Sequence, residues 1–170
     1  MEQVGYDGDE AENLRCESKN PKILIFGYVL IKYIYKIGDN MKTLTIKQPW
    51  ASLIIEGYKK YEFRSWKTNY RGKILIHAGM SLEKDMIDRF KNYNLDYNLG
   101  AIIGEAELVD CILVDEKFNK ELRDIDPIVY GRSNHTETYA WKLENIKKYD
   151  KPIYIKGKLG LWNYEVENEK

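Results

Sequence analysis

Between residues 41 and 64 the chain switches hydrophobic period twice, in MKTLTIKQPWASLIIEGYKKYEFR, and those switches restrict the fold more than any other stretch. Residues 43–47 alternate as a strand does, with Leu44 and Ile46 on one face. Pro49 suits the first turn of a helix, where its missing N–H leaves no bond unmade, with Gln48 as the cap. Trp50, Leu53, Ile54 and Tyr58 recur at helical spacing, and Gly57 ends the helix by accepting left-handed backbone. Residues 60–64 alternate again, sending Tyr61 and Phe63 to one side and Lys60, Glu62 and Arg64 to the other.

A charged row beside a helix start is a candidate site. The helix N-terminus offers unpaired N–H groups and the positive end of a dipole, and Arg64 supplies a planar fork suited to phosphate or carboxylate. Lys59, at the helix-to-strand turn, reaches the same cleft.

The segment TIKQPWASLIIEGYKKYEFRSW closely resembles the opening motif of ASCH domains (activating signal cointegrator homology), a branch of the PUA-like superfamily. Gly57, Lys59, Glu62 and Arg64 look like that family's Gly-x-Lys-x-x-Glu-x-Arg signature. YRGKILIHAG, GAIIGEAELVDC and YAWKLENIKKYDKPIYIKGKLGLWNY look like the later strands of the same domain in the same order. The resemblance covers residues 41 to about 165. It implies an α+β fold, a small PUA-like mixed β-barrel with two or three flanking helices. It also implies a central cleft holding Lys59 and Glu62, used for nucleic acid or nucleotide-like ligands.

The rest of the chain predicts short elements. Residues 73–77 form a strand that Ala78 and Gly79 stop, and Ser81 caps a helix running to about Phe90 with Met86, Ile87 and Phe90 inward. Residues 101–114 form the longest strand, with Glu105 and Glu107 on one face, Ala106 and Leu108 on the other. Asp110 falls on the apolar face, by a bulge or at a polar site. A short helix at 118–122, an irregular loop at 123–135 and strands at 138–143, 153–155 and 159–166 complete the domain. Many short strands with few helices argue a small mixed barrel.

Residues 1–40 stand outside this unit. The first 20 are polar and acidic and read as disordered, while residues 23–37 are apolar and β-branched but interrupted by Lys32 and Lys36. That run is shorter than the roughly 20 residues a membrane-spanning helix needs. An added strand or helix, a membrane-surface segment and an upstream extension that is not native are its three readings, the third preferred because Met41 opens the domain cleanly. Residues 167–170 are a tail.

Charge excludes a broad basic surface. Lys plus Arg and Asp plus Glu are each 27 in 170 residues. Setting aside the first 40 residues removes five basic and seven acidic, leaving 22 against 20. A nucleic-acid ligand would therefore be held by a local cleft and stacking. Cys16 and Cys111 make no disulfide framework, and His77 and His135 lack partners at ligand spacing, so neither a metal nor a cofactor is expected. The expected setting is a cytoplasmic monomer.

Each candidate residue has a structural alternative. Trp50 reads as core or as a base-stacking ring, Trp141 and Trp162 as core, and Trp66, in a loop beside Arg64, as the best stacking candidate. Lys47, Gln48, Arg64 and Ser65 are candidate ligand contacts, and Lys59 with Glu62 the candidate catalytic pair. Without the resemblance, these charges would read as a solvated strand face. His77 reads as a satisfied strand histidine before a base, and Lys147, Lys148 and Lys151 as a solvated run before a phosphate track.

Three functions remain open. The first is binding of RNA or a nucleotide-like small molecule in the cleft. The second is hydrolysis: the chain resembles small ASCH-type proteins that remove the acyl group of a modified cytidine with a lysine, a threonine and a glutamate. Lys59 matches the lysine, but Glu62 stands where the threonine would be; a ribonuclease-like step is a variant. The third is recruitment of a protein partner.

Overall fold

The computed structural model describes residues 40–131 and 134–165; the leader up to Asp39, with its apolar run and Cys16, and the tail lie outside the described residues. Strand β1 (Met41–Gln48) buries Leu44 and Ile46 as their alternation requires. It leads into helix α1 (Trp50–Ile55), six residues long and buried on every side from Ala51 to Ile55, so it is a core plug more than an amphipathic cover. The cap differs in detail from expectation. Pro49 takes the cap position, after a cis peptide bond, and Gln48 caps from one residue further back, its Oε1 accepting from the Ser52 N–H at 3.1 Å. Gly57 ends the turn with φ +81, the left-handed backbone expected of it.

Strand β2 (Tyr61–Arg64) follows, then β3 (Gly72–Leu82), the short helix α2 (Lys84–Ile87) and a 3₁₀ turn (Asp88–Phe90). Strand β3 runs five residues beyond the expected stop at His77, so Ser81 lies in the strand and caps nothing. Strand β4 (Ala101–Leu113) buries Ala106 and Leu108, while Glu105 faces Lys73 and Tyr149. Its register with the next strand shifts between Leu108 and Asp110, which is the bulge that the misplaced Asp110 called for. Helix α3 (Glu116–Ile125) is longer than expected because Asp115 caps it, accepting from Phe118 N at 2.7 Å. Within the expected loop lies helix α4 (Pro127–Tyr130), capped by Asp126.

The strands expected at 138–143 and 153–155, and the basic run between them, are one strand, β5 (Tyr139–Tyr154). It bends at Asn145, which has φ +49, and stays paired with β4 by shifting register at three places. Strand β6 (Leu161–Tyr164) closes the chain.

The six strands among the described residues form one mixed sheet in the order β2-β5-β4-β3-β1-β6, with β1 and β3 parallel. The α+β class is as expected; a closed barrel is not what forms. Strand β2 and strand β6 are edges of only four residues each, and β6 pairs with β1 only as far as Leu44. Beyond that point β1 has β3 on one side and, among the described residues, no strand on the other. One core lies on the sheet under Ile54, Ile55 and Trp141, and a second gathers Leu53, Phe90, Leu122, Val129 and Tyr130 beneath α1. Among the described residues, no helix is long and apolar enough to cross a membrane.

Candidate functional site

The opening between β2 and the unpaired end of β1 is the cleft. Both sides of it come from the stretch that opens the domain, because α1 reverses the chain within a few residues. The Lys59 N–H donates to the Leu53 carbonyl at 3.0 Å, which fixes the start of β2 against the helix. Lys59 then turns inward and is only 3% exposed, and Glu62 only 8%. Burying two charges costs several kcal/mol each unless they pair and their remaining donors and lone pairs are used.

Here they are used. Lys59 Nζ donates to Glu62 Oε2 at 2.7 Å and to the Tyr61 carbonyl, and Arg64 Nη2 lies 3.2 Å from Glu62 Oε1. Arg64 Nη2 also donates to the Thr45 carbonyl of β1 at 2.8 Å, while its Nε is buried with no partner. Burial pushes the Lys59 ammonium below its usual range, with the Glu62 carboxylate opposing the fall.

Two adjoining cavities open from this network, sharing Trp50, Glu62 and Glu83. One, of 230 Å³, has Trp50 and Phe63 as aromatic walls, with Lys59 at its base. His135 stacks flat on Phe63, ring centres 3.6 Å apart and planes within 2°. Burial, then the Lys59 ammonium, push the His135 imidazole down to about 4, so it is neutral at pH 7. Asn119, itself 1% exposed, holds that loop: its Oδ1 accepts from His135 N at 3.4 Å and its Nδ2 donates to Asn134 Oδ1 at 2.8 Å. The second cavity, of 440 Å³, lies in the unpaired seam itself and is lined by Thr45, Lys47, Arg64 and Lys158 among others. Lys47, Lys59, Arg64 and Lys158 together outnumber Glu62 and Glu83, so the cleft is locally cationic in a chain whose net charge is zero.

Residues 44–153 match the ASCH domain. The chain belongs to the ASCH-domain family. It is similar to activating signal cointegrator 1 of Homo sapiens, 33% identical over 129 residues that span 60% of this chain and 22% of that protein. The Mus musculus counterpart is 28% identical over 134 residues, 72% of this chain and again 22% of the relative. Among solved structures, ASCH from Zymomonas mobilis is 17% identical with a TM-score of 0.39, over 68% of this chain and 73% of that one. A single-substitution variant of that protein gives 18% and 0.43, over 68% and 75%.

This ASCH domain brings together some of the residues expected in its site and separates others. Lys59, Glu62, Arg64, Lys47 and Trp50 all line the two cavities. Gln48 is fully buried, with its Oε1 on Ser52 and its Nε2 donating to the Asn98 carbonyl at 2.8 Å, so its amide holds α1 in place. Ser65 is exposed after β2 and lines neither cavity. Trp66 packs edge-on against Trp141 at 4.6 Å and lines neither cavity. His77 is buried with Nε2 on the Ile155 carbonyl at 2.9 Å, as a satisfied strand histidine would be, although its Nδ1 has no partner. Lys148 of the basic run is bound to Glu56 and Asp96 at 2.6 and 2.7 Å. Among the described residues, no group of three metal-ligating side chains is gathered.

Thr45, Glu83, His135 and Lys158 are the additions. Glu83 sits at the start of α2, accepts from Trp50 Nε1 at 3.1 Å and lies 3.7 Å from Lys47. His135 and Lys158 come from loops more than 70 residues away in sequence, which no local pattern joins to Lys59.

Proposed function

We propose that this ASCH domain binds RNA through the cleft, one nucleotide at a time entering the cavity over Lys59. The observation that carries this reading is the local excess of cations around a pair of cavities walled by Trp50, Phe63 and His135, in a chain with no net charge. A phosphate is served by Arg64, whose side chain lines the larger cavity, and by Lys47, whose side chain is 64% exposed. A base is served by the aromatic walls of the smaller cavity, whose size and flat faces suit one ring system. Membership of the ASCH family supports the same ligand class. The name of the cointegrator relatives describes proteins of which the match covers 22%, and it carries nothing to this domain about partners.

A second reading, hydrolysis of a modified nucleoside, is favoured by the lowered pKa of buried Lys59. Among the described residues no hydroxyl side chain lines the cavity that contains Lys59, and the ammonium is already committed to Glu62 and the Tyr61 carbonyl. A lysine that activates a threonine needs both within hydrogen-bond reach.

Titration of the full chain with labelled single-stranded RNA across a salt series tests the first reading. Lys47→Gln and Arg64→Gln should each weaken binding and flatten the salt dependence by about 0.7 in log–log slope for one phosphate lost. Unchanged affinity in both variants would refute the cleft. Mass spectrometry of the same incubations tests the second, since turnover abolished by Lys59→Ala would make the domain an enzyme.

A further inference from the structure

The cavity over Arg64 is larger than a phosphate requires, and its rim carries side chains that the fold does not use. At 440 Å³ it is nearly twice its neighbour. Its mouth is set by the far end of β3, at Gly79, Met80 and Ser81, and by the β5–β6 turn, at Lys158, Leu159 and Gly160. Each segment leaves one large apolar side chain in water, Met80 at 76% exposed and Leu159 at 98%. Scattered surface hydrophobics are ordinary, but these two lie on one cavity that also holds Lys47, Arg64 and Lys158.

The turn that presents Leu159 is firmly seated. Thr45 Oγ1 donates to the Lys158 carbonyl at 2.9 Å and accepts from Trp162 Nε1 at 3.1 Å. The Lys158 ammonium lies 5.5 Å over the Trp162 ring. Gly157 packs so closely on His77 that a Cβ there would come within 2.5 Å of Cε1. A turn anchored on both flanks sets the backbone of its most exposed residue, Leu159, at the mouth of a cationic cavity.

We propose that Met80 and Leu159 form a second base-contact position, so that the ligand of the cleft is a single RNA strand of at least two nucleotides and not a free nucleotide or nucleoside. This rests on the nucleotide reading above. The first base occupies the cavity over Lys59. The two cavities meet at Trp50, Glu62 and Glu83, so the linking phosphate passes beside Arg64 and Lys47. The next base then lies between the two rim side chains, where its flat apolar face covers surface otherwise left in water. Charge selects this occupant over an apolar peptide or a second copy of the chain. Three of the four cleft cations line this one cavity, and a strand brings a negative charge with every nucleotide.

The test is fluorescence anisotropy of the full chain with a labelled mixed-sequence tetraribonucleotide, alongside competition by the four ribonucleoside 5′-monophosphates. Wild type, Met80→Ser/Leu159→Ser and Trp50→Ala are compared, with circular dichroism to confirm the fold. The two serines replace exposed residues and leave the core intact. The tetranucleotide should bind wild type at least about tenfold tighter than any monophosphate, and the rim variant should lose about tenfold on the tetranucleotide only. Trp50→Ala should weaken both ligands together.

If the rim variant binds the tetranucleotide as wild type does while monophosphates still bind, the second position is wrong and the nucleotide reading stands. If wild type binds neither ligand, both fall. A rim variant that changes the sedimentation of the protein but not its RNA affinity would make the rim a contact between copies and overturn the proposal.

Discussion

Arg64 Nη2 reaches the carbonyl oxygen of Thr45 at 2.8 Å, across a seam where the described backbones of β2 and β1 make no ladder. One side chain does there what a row of backbone bonds would do in a closed barrel, and the space around it is the larger cavity of the cleft. The same guanidinium is paired to Glu62, so closure of the seam and charge balance at the site depend on a single residue.

Replacing Glu62 tests that balance. Glu62→Gln leaves the Lys59 and Arg64 cations without a counter-ion, and losing one partner of a buried pair costs about 3–5 kcal/mol. Urea denaturation should show a fall of that size. Adding Lys59→Met should recover part of it, giving a favourable coupling energy in the double-mutant cycle.

Thr45→Val keeps the shape and removes the hydroxyl that serves Lys158 and Trp162. Two hydrogen bonds at about 1 kcal/mol each set the expected loss at roughly 1–2 kcal/mol. Amide exchange should accelerate across residues 157–162 while β4 stays protected.

His135 makes stability depend on acid. Its imidazole falls from the usual 6.5 to about 4 in the folded chain, so the folded state prefers the neutral ring. The contribution is complete above pH 6.5 and is lost as the pH falls from there through about 4. With its partial exposure discounted, the loss is about 1–2 kcal/mol. His135→Phe should retain the stack on Phe63 and lose this component, so the difference in denaturation midpoint between variant and wild type should widen between pH 7 and pH 4.5.

The two tryptophans beside the opening motif should behave differently. Trp50→Ala removes a wall of the cavity over Lys59 and should weaken RNA binding about tenfold. Trp66→Ala removes the edge contact on Trp141 and should lower stability while leaving RNA affinity unchanged. Reversal of the two in a binding assay would move the site to the β2–β3 loop.

Local pattern was informative wherever contacts are local. The alternation of Leu44 and Ile46, the turn at Gly57 and the split faces of β4 all appear where the period places them, because burial follows from spacing along a strand or helix. The misplaced phase of Asp110 left a bulge or a polar site open, and the register shift there is the bulge. Caps were less legible. Asp115 and Asp126 lengthened the helical region that read as loop, and Ser81, an equally good capping residue, stayed in a strand because β3 keeps pairing past His77. The run of lysines at 147–151 hid the continuity of β5, whose bend at Asn145 keeps it paired with β4.

By itself the sequence determined the family and the α+β class, and it set Glu62 and Arg64 on one face of β2 with Lys59 at the turn before it, since a short motif with fixed spacing carries them. Only the tertiary structure decided that the sheet stays open at β1 and β2, that Gln48 and Trp66 line neither cavity, and that Thr45, Glu83, His135 and Lys158 do. The reason is physical. Spacing along the chain fixes which way a side chain points within its own element. Whether two edge strands close, and which distant loops cover the gap, depends on strand lengths, register shifts and packing that no single segment contains.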